Sequence, residues 1–150
     1  MKKLVTVLTA AVLLFSTSAF AGQGDSNVSP RVKSAFLTDF ARASGVTWER
    51  TNDFYFATFN MNNVEVNAAY NEQGELVGTS RSVEIDQLPM NLSLALSKRY
   101  EGYTTSKKAL ELNFEGDTRY YLTVANDKIA LKLKCSTSGT MEVERKIRKL

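Results

Sequence analysis

Histidine is missing altogether from this 150-residue chain, cysteine occurs once and proline twice. Without histidine the protein has no side chain that ordinarily titrates between pH 5 and 8. It also lacks the commonest metal ligand and the base of Ser-His and Cys-His nucleophile pairs. The single Cys135 excludes an internal disulfide, so the fold has to be held by its core. With no base or redox partner, Cys135 reads as buried filler. Excess charge is scarce too. Of the formal net charge of +3, Lys2 and Lys3 carry two units, leaving +1 over the remainder. That is too little phosphate neutralisation to point to nucleic acid.

Long hydrophobic runs are absent as well. The only extended one, Leu4 to Phe15, is shorter than the ~20 residues a membrane span takes. It follows Met1-Lys2-Lys3 and precedes Ala19-Phe20-Ala21, a small-x-small site. These are the three parts of an export signal, with cleavage expected after Ala21. No cysteine follows the cut, so a lipid anchor is not expected. Residues 1–21 are therefore assigned to a signal peptide, with the mature chain periplasmic or secreted and without a membrane span. Residues 22–28, small and polar, read as a flexible tether.

Both prolines fall where helices begin. Ser29-Pro30 supplies an N-cap and a first-turn proline, and Leu88-Pro89 opens a second helix. Val32, Phe36, Leu37 and Phe40 share one face of the first helix, which is expected to stop at Ser44-Gly45. Met90, Leu92, Leu94, Ala95, Leu96 and Tyr100 give the second a broad apolar face, stopped at Glu101-Gly102. Strands are expected at 46–50, 54–59, 64–70 and 75–83 after the first helix. After the second they are expected at 103–107, 108–114, 119–124, 128–135 and 140–147. Leu110, Leu112 and Phe114 lie on one side of their strand, and Ile129, Leu131, Leu133 and Cys135 on one side of theirs. Met141, Val143 and Ile147 are expected to continue the core side. Such period-two alternation means one buried face and one wet face.

The fold class is α+β: two tandem helix-plus-four-strand units, 29–85 and 86–150, with 103–107 leading into the second strand set, forming one large antiparallel sheet. Both helices pack on one face, and the sheet is expected to have about eight strands.

Several stretches resemble the PepSY-like family with a β-lactamase-inhibitor-protein-like (BLIP-like) fold, exported bacterial proteins of the Bacteroidetes type. They are Ala35-Phe36 with Phe40, Val46-Thr47-Trp48-Glu49, Tyr55 to Phe59, Ala69 to Leu76, Leu88-Pro89, Tyr100 to Tyr103, and Tyr120-Tyr121. The resemblance runs from about Val32 to the C-terminus. Departures are Ala41, where the family commonly has proline, and Asn62-Asn63, where it often has glycine. The resemblance implies a shape and no enzymatic activity, and it does not imply inhibition of a β-lactamase.

No catalytic set, cofactor motif or metal cluster stands out. Glu84 with Asp86, and Glu49 with Asp53, lack a glycine-bearing calcium loop and read as solvated linkers or caps. The basic end, Arg145 to Lys149, reads as edge-strand protection. The candidate partner-binding residues are Tyr55, Phe59, Arg81, Arg119, Tyr121, Lys132 and Lys134, taken to share the wet sheet face. Aromatic side chains there make interface anchors, and the basic ones suit an acidic partner. The expected function is a non-enzymatic extracytoplasmic module that binds another exported protein or peptide, such as a hydrolase it inhibits or chaperones. The alternative is a sensor or carrier of a small envelope ligand held at the seam between the units, with Trp48 as reporter. A hydrolase is the least supported class, because no motif brings activating partners together. The oligomeric state is open.

Overall fold

Each proline opens a ten-residue helix in the computed structural model, which describes residues 27–149. The expected export signal and cleavage site, and most of the expected tether, lie outside the described residues. Val28, assigned to the tether, is buried against the first core. Helix α1 spans Pro30–Asp39, and the Ser29 hydroxyl accepts from the Val32 N–H at 3.3 Å. Helix α2 spans Met90–Arg99, with Lys98 and Arg99 in its last turn, where the dipole favours positive charge. Both helices end earlier than the glycine signals suggested. Phe40 leaves the helical path while its N–H still reaches the Phe36 carbonyl at 2.8 Å, and Tyr100 does the same to Leu96 at 2.9 Å.

The buried stripe of each helix is narrow: Val32 and Phe36 in α1, Leu92 and Leu96 in α2. Leu37, Met90 and Leu94, expected on the core side, are exposed at 66%, 72% and 59%. A two-turn contact with a sheet buries one i, i+4 row. Residues one or two positions away are rotated by about 100° or 200° out of it.

The strands are β1 (Ser44–Arg50), β2 (Tyr55–Met61), β3 (Val64–Tyr70), β4 (Leu76–Glu84), β5 (Thr104–Thr105), β6 (Lys108–Phe114), β7 (Asp117–Ala125), β8 (Ile129–Ser136) and β9 (Met141–Arg148). They form one antiparallel sheet in the order β1-β2-β3-β4-β6-β7-β8-β9, with the two-residue β5 pairing with the end of β7. The halves join edge to edge through β4 and β6, from Gly78 opposite Phe114 to Glu84 opposite Lys108.

The two halves are built alike at one hairpin each. Between β3 and β4, the Asn71 N–H donates to the Glu75 carbonyl, the Gly74 N–H to the Asn71 carbonyl, and the Glu75 N–H to Asn71 Oδ1. Between β8 and β9, Ser136, Gly139 and Thr140 repeat all three bonds, with Ser136 Oγ replacing the amide oxygen. Gly74 (φ +79°) and Gly139 (φ +94°) both need a backbone that L side chains rarely adopt. Each also lies against its helix. A Cβ on Gly74 would fall 2.9 Å from Arg31 Cγ, and one on Gly139 3.0 Å from the Asn91 carbonyl.

Two separate cores result. The first is aromatic: Phe36 has its ring centroid 5.0 Å from Phe59, 5.2 Å from Trp48, 5.6 Å from Phe40 and 6.4 Å from Tyr70. Ala57 and Ala68 leave room for these rings. The second is mainly aliphatic, with Leu92, Leu96, Leu122, Val124, Leu131, Leu133 and Cys135.

Candidate functional site

Cross-strand register decides which side chains share a face, because directly paired residues point the same way. On the helix side one row runs Val66, Arg81, Glu111, Tyr120, Cys135. On the other side, where neither α1 nor α2 packs, the central row runs Thr47, Thr58, Asn67, Ser80, Leu112, Arg119, Ser136. Beside it lies a second row of Ser82, Leu110, Tyr121, Lys134 and Glu142.

These rows divide the candidate residues. Arg119, Tyr121, Lys132 and Lys134 come together on the open face, on neighbouring β7 and β8. Tyr55 and Phe59 do not: they are 5% and 1% exposed, beneath α1 in the first core. The sequence carries aromatics at both parities of β2, and small Ala57 and Ala68 let the Tyr55 side accept the helix. Arg81 is also on the helix side, where its Nε donates to Glu111 Oε1 at 2.7 Å. The alternation of β6 runs opposite to expectation as well. Ala109, Glu111 and Asn113 face the helices, while Leu110, Leu112 and Phe114 face outward.

The open face therefore carries an apolar band, of which sequence reading placed Leu110, Leu112 and Phe114 on the core side. Phe56, Leu110, Leu112, Phe114 and Tyr121 lie across β2, β6 and β7. Leu112 is 1% exposed although no helix among the described residues covers it. Its neighbours are Ser80 and Arg119 across the sheet and Leu110 and Phe114 along the strand. Burial first, then the negative charge of Glu144, pushes the Tyr121 phenol up to about 12, so it stays a neutral hydrogen-bonding tip. Arg119 is held by Asp117 at 2.6 Å, and Lys134 lies 3.9 Å from Glu142. Lys132 has Arg145 directly opposite, which leaves that corner basic.

Ser80 sits at the centre of this face. It is 1% exposed and, among the described residues, its Oγ alone is a buried side-chain polar atom without a hydrogen-bond partner. Its neighbour Asn67 accepts from Thr58 Oγ1 at 2.6 Å. An unpaired buried hydroxyl contributes nothing that alanine would lose. Ser80→Ala is accordingly expected to leave stability unchanged or raise it by up to about 1 kcal/mol. Thermal melting checks this, and a clear drop in Tm would show that the hydroxyl has a partner.

The helix-side seam between the cores is polar. Glu111, with its side chain 13% exposed, accepts from Arg81 on one oxygen and from Tyr120 Oη on the other at 3.0 Å. Thr118 Oγ1 donates to Asn113 Oδ1 at 2.6 Å beside them. Trp48 is on β1, three strands from this seam, and packs on Phe36. It could not report directly on a ligand there. A groove of ≈ 670 Å³ flanks α2, between Ile85, Leu88, Met90, Tyr100 and Tyr103, and is not at the seam.

The remaining polar candidates are structural in their contacts. Glu84 pairs with Lys108 at 3.3 Å and caps the 3-10 turn Ile85–Gln87. Among the described residues no three His, Cys, Asp or Glu side chains gather as a metal site. Cys135 is fully buried, and desolvation pushes its thiol up to about 11. In β9 a register irregularity opposite Lys132 and Leu133 turns Ile147 to the open face, paired with Ala130. It is 41% exposed, and Val143 stays 47% exposed, so neither extends the core as expected.

Solved structures share this architecture. A BLIP-like protein from Bacteroides fragilis superposes with a TM-score of 0.66 at 18% identity, covering 84% of this chain and 93% of that one. The fold is BLIP-like. A DUF2874 family protein from Bacteroides uniformis matches with a TM-score of 0.66 at 21% identity, over 81% and 89% of the two chains. A protein from Bacteroides eggerthii with a provisional periplasmic assignment matches at 18% identity and 0.66, over 81% and 88%. No family model matches the sequence, and no curated protein matches it. None of these BLIP-like neighbours points to an enzymatic family. No helix among the described residues is long and apolar enough to cross a membrane.

Proposed function

We propose that this chain is a non-enzymatic extracytoplasmic binding module of the PepSY-like kind. Its open sheet face docks on another exported protein, as an inhibitor or chaperone of a hydrolase would. The observation that carries this reading is the apolar band of Phe56, Leu110, Leu112 and Phe114 on the face away from both described helices, bordered by Tyr121, Arg119, Lys132 and Lys134. Apolar and aromatic side chains ringed by polar ones have the make-up of an interface centre with its rim. The basic corner at Lys132 and Arg145 favours an acidic patch on the partner. The export signal and the BLIP-like neighbours support an extracytoplasmic setting.

Affinity capture from an envelope extract of the source cell tests the reading. The wild type is compared with Tyr121→Ala plus Arg119→Ala, both on the open face, and with Leu37→Ala on the outer side of α1. A specifically retained protein is expected to be lost from the double variant, at least tenfold for a combined cost of about 1.4 kcal/mol. It should survive the helix variant. Retention that ignores the double substitution would overturn the proposal.

A further inference from the structure

The last strand has an order of charge that the proposed function does not use. β9 is an edge of the sheet, and every residue from Glu142 to Arg148 is exposed. Its acidic residues, Glu142 and Glu144, lie in the first half. Its basic residues, Arg145, Lys146 and Arg148, lie in the second. A charged edge normally discourages pairing with other chains. Here the signs are segregated, so the strand repels a parallel copy of itself and complements an antiparallel one. A two-fold axis near Glu144 and Arg145 sets the acidic half of each copy beside the basic half of the other.

Two further observations favour a covered edge. Val143 and Ile147, both β-branched, are two of the six large hydrophobics exposed among the described residues. They sit on opposite faces of this one strand, where a neighbouring strand would shield both. The opposite edge, β1, has no such order: its only charges are Glu49 and Arg50 at its end. We infer that β9 is a self-recognition edge, through which two copies of this protein pair antiparallel and continue one sheet into the next. The open face of each copy stays free in this arrangement, so it stands or falls separately from the proposed docking function.

Charge reversal tests the inference. Glu142→Lys with Glu144→Lys makes the strand wholly basic. Arg145→Glu with Lys146→Glu and Arg148→Glu makes it wholly acidic. All five side chains are exposed, and far-UV circular dichroism establishes that each variant keeps the fold. The wild type is expected to weigh twice the monomer mass by light scattering at high protein concentration and low salt, and to dissociate as salt screens the exposed charges. Each variant alone is expected to stay monomeric, and an equimolar mixture of the two to restore the doubled mass. A wild type that is monomeric up to near-millimolar concentration would overturn the inference. So would a dimer untouched by both reversals, pairing through another surface, or a mixture that fails to associate.

Discussion

Phe36→Ala is expected to lower stability by about 3–5 kcal/mol, the usual cost of truncating a fully packed phenylalanine. Phe36 is 3% exposed and is the ring that Phe40, Trp48, Phe59 and Tyr70 all touch. Edge-on aromatic contacts add about 0.5–1.5 kcal/mol each beyond the area they bury. A void at the hub strands four partners at once, and Val32 is the one other fully buried side chain of the ten-residue α1. Against a total stability of about 5–15 kcal/mol for a domain of this size, the loss is a large fraction. Chemical denaturation followed by Trp48 fluorescence reads it directly, because the indole packs on the missing ring. Leu96→Ala, the corresponding substitution under α2, should also destabilise while leaving the native Trp48 emission unchanged. A Phe36→Ala protein within about 1 kcal/mol of wild type would mean that the aromatic core is not what holds α1 down.

Alkali is expected to unfold the protein cooperatively. Burial first, then the hydrogen bond to Asp39 and its charge, raises the Tyr70 phenol far above its ordinary value. Tyr120 is raised by burial and then by its hydrogen bond to Glu111. In the unfolded chain both ionise near pH 10, whereas in the folded one they hold their protons. Their contribution is complete below about pH 10 and drains away as pH climbs toward the folded values, at about 1.4 kcal/mol per group per pH unit. Tyr70 alone removes about 1.4 kcal/mol per unit, Tyr120 adds to the loss until its own raised value is reached, and Cys135, held to about 11, begins to do so earlier. Circular dichroism and tyrosinate absorbance should therefore change together. Tyr120→Phe and Tyr70→Phe should each make the alkaline loss shallower, although both remove a hydrogen bond at neutral pH. Tyrosinate absorbance complete near pH 10, with native dichroism retained, would contradict the protonated, buried phenols described here.

What the sequence revealed follows from which physical signals are local. Pro30, Pro89 and the hairpin glycines Gly74 and Gly139 act through their own backbone, so helix starts and turns could be read directly. A single large antiparallel sheet was legible too, because strands joined by short turns pair as neighbours. Face assignment was less legible. Tyr55 and Phe56 are both aromatic, and only the small Ala57 and Ala68 beneath α1 decide which one turns inward. Leu110, Leu112 and Phe114 alternate like a core strand. However, β6 lies at the seam, where Glu111 and Asn113 occupy the helix side and the apolar set turns outward. The irregularity in β9 that turns Ile147 over has no local marker at all. Arg81 was grouped with the wrong face for a related reason: its partner Glu111 is thirty residues away.

The polar seam has a mechanical consequence. The two cores share no cluster, and what links them is the β4–β6 ladder with the Arg81–Glu111–Tyr120 contacts behind it. On the helix side, flexing the sheet along that line disturbs hydrogen bonds and one ion pair without opening either core, whereas flexing it under either helix would open one. The protein thus has a built-in crease. Ser80, Leu112 and the apolar band lie along its opposite side, so the curvature of the face proposed for docking can adjust while both halves keep their shape.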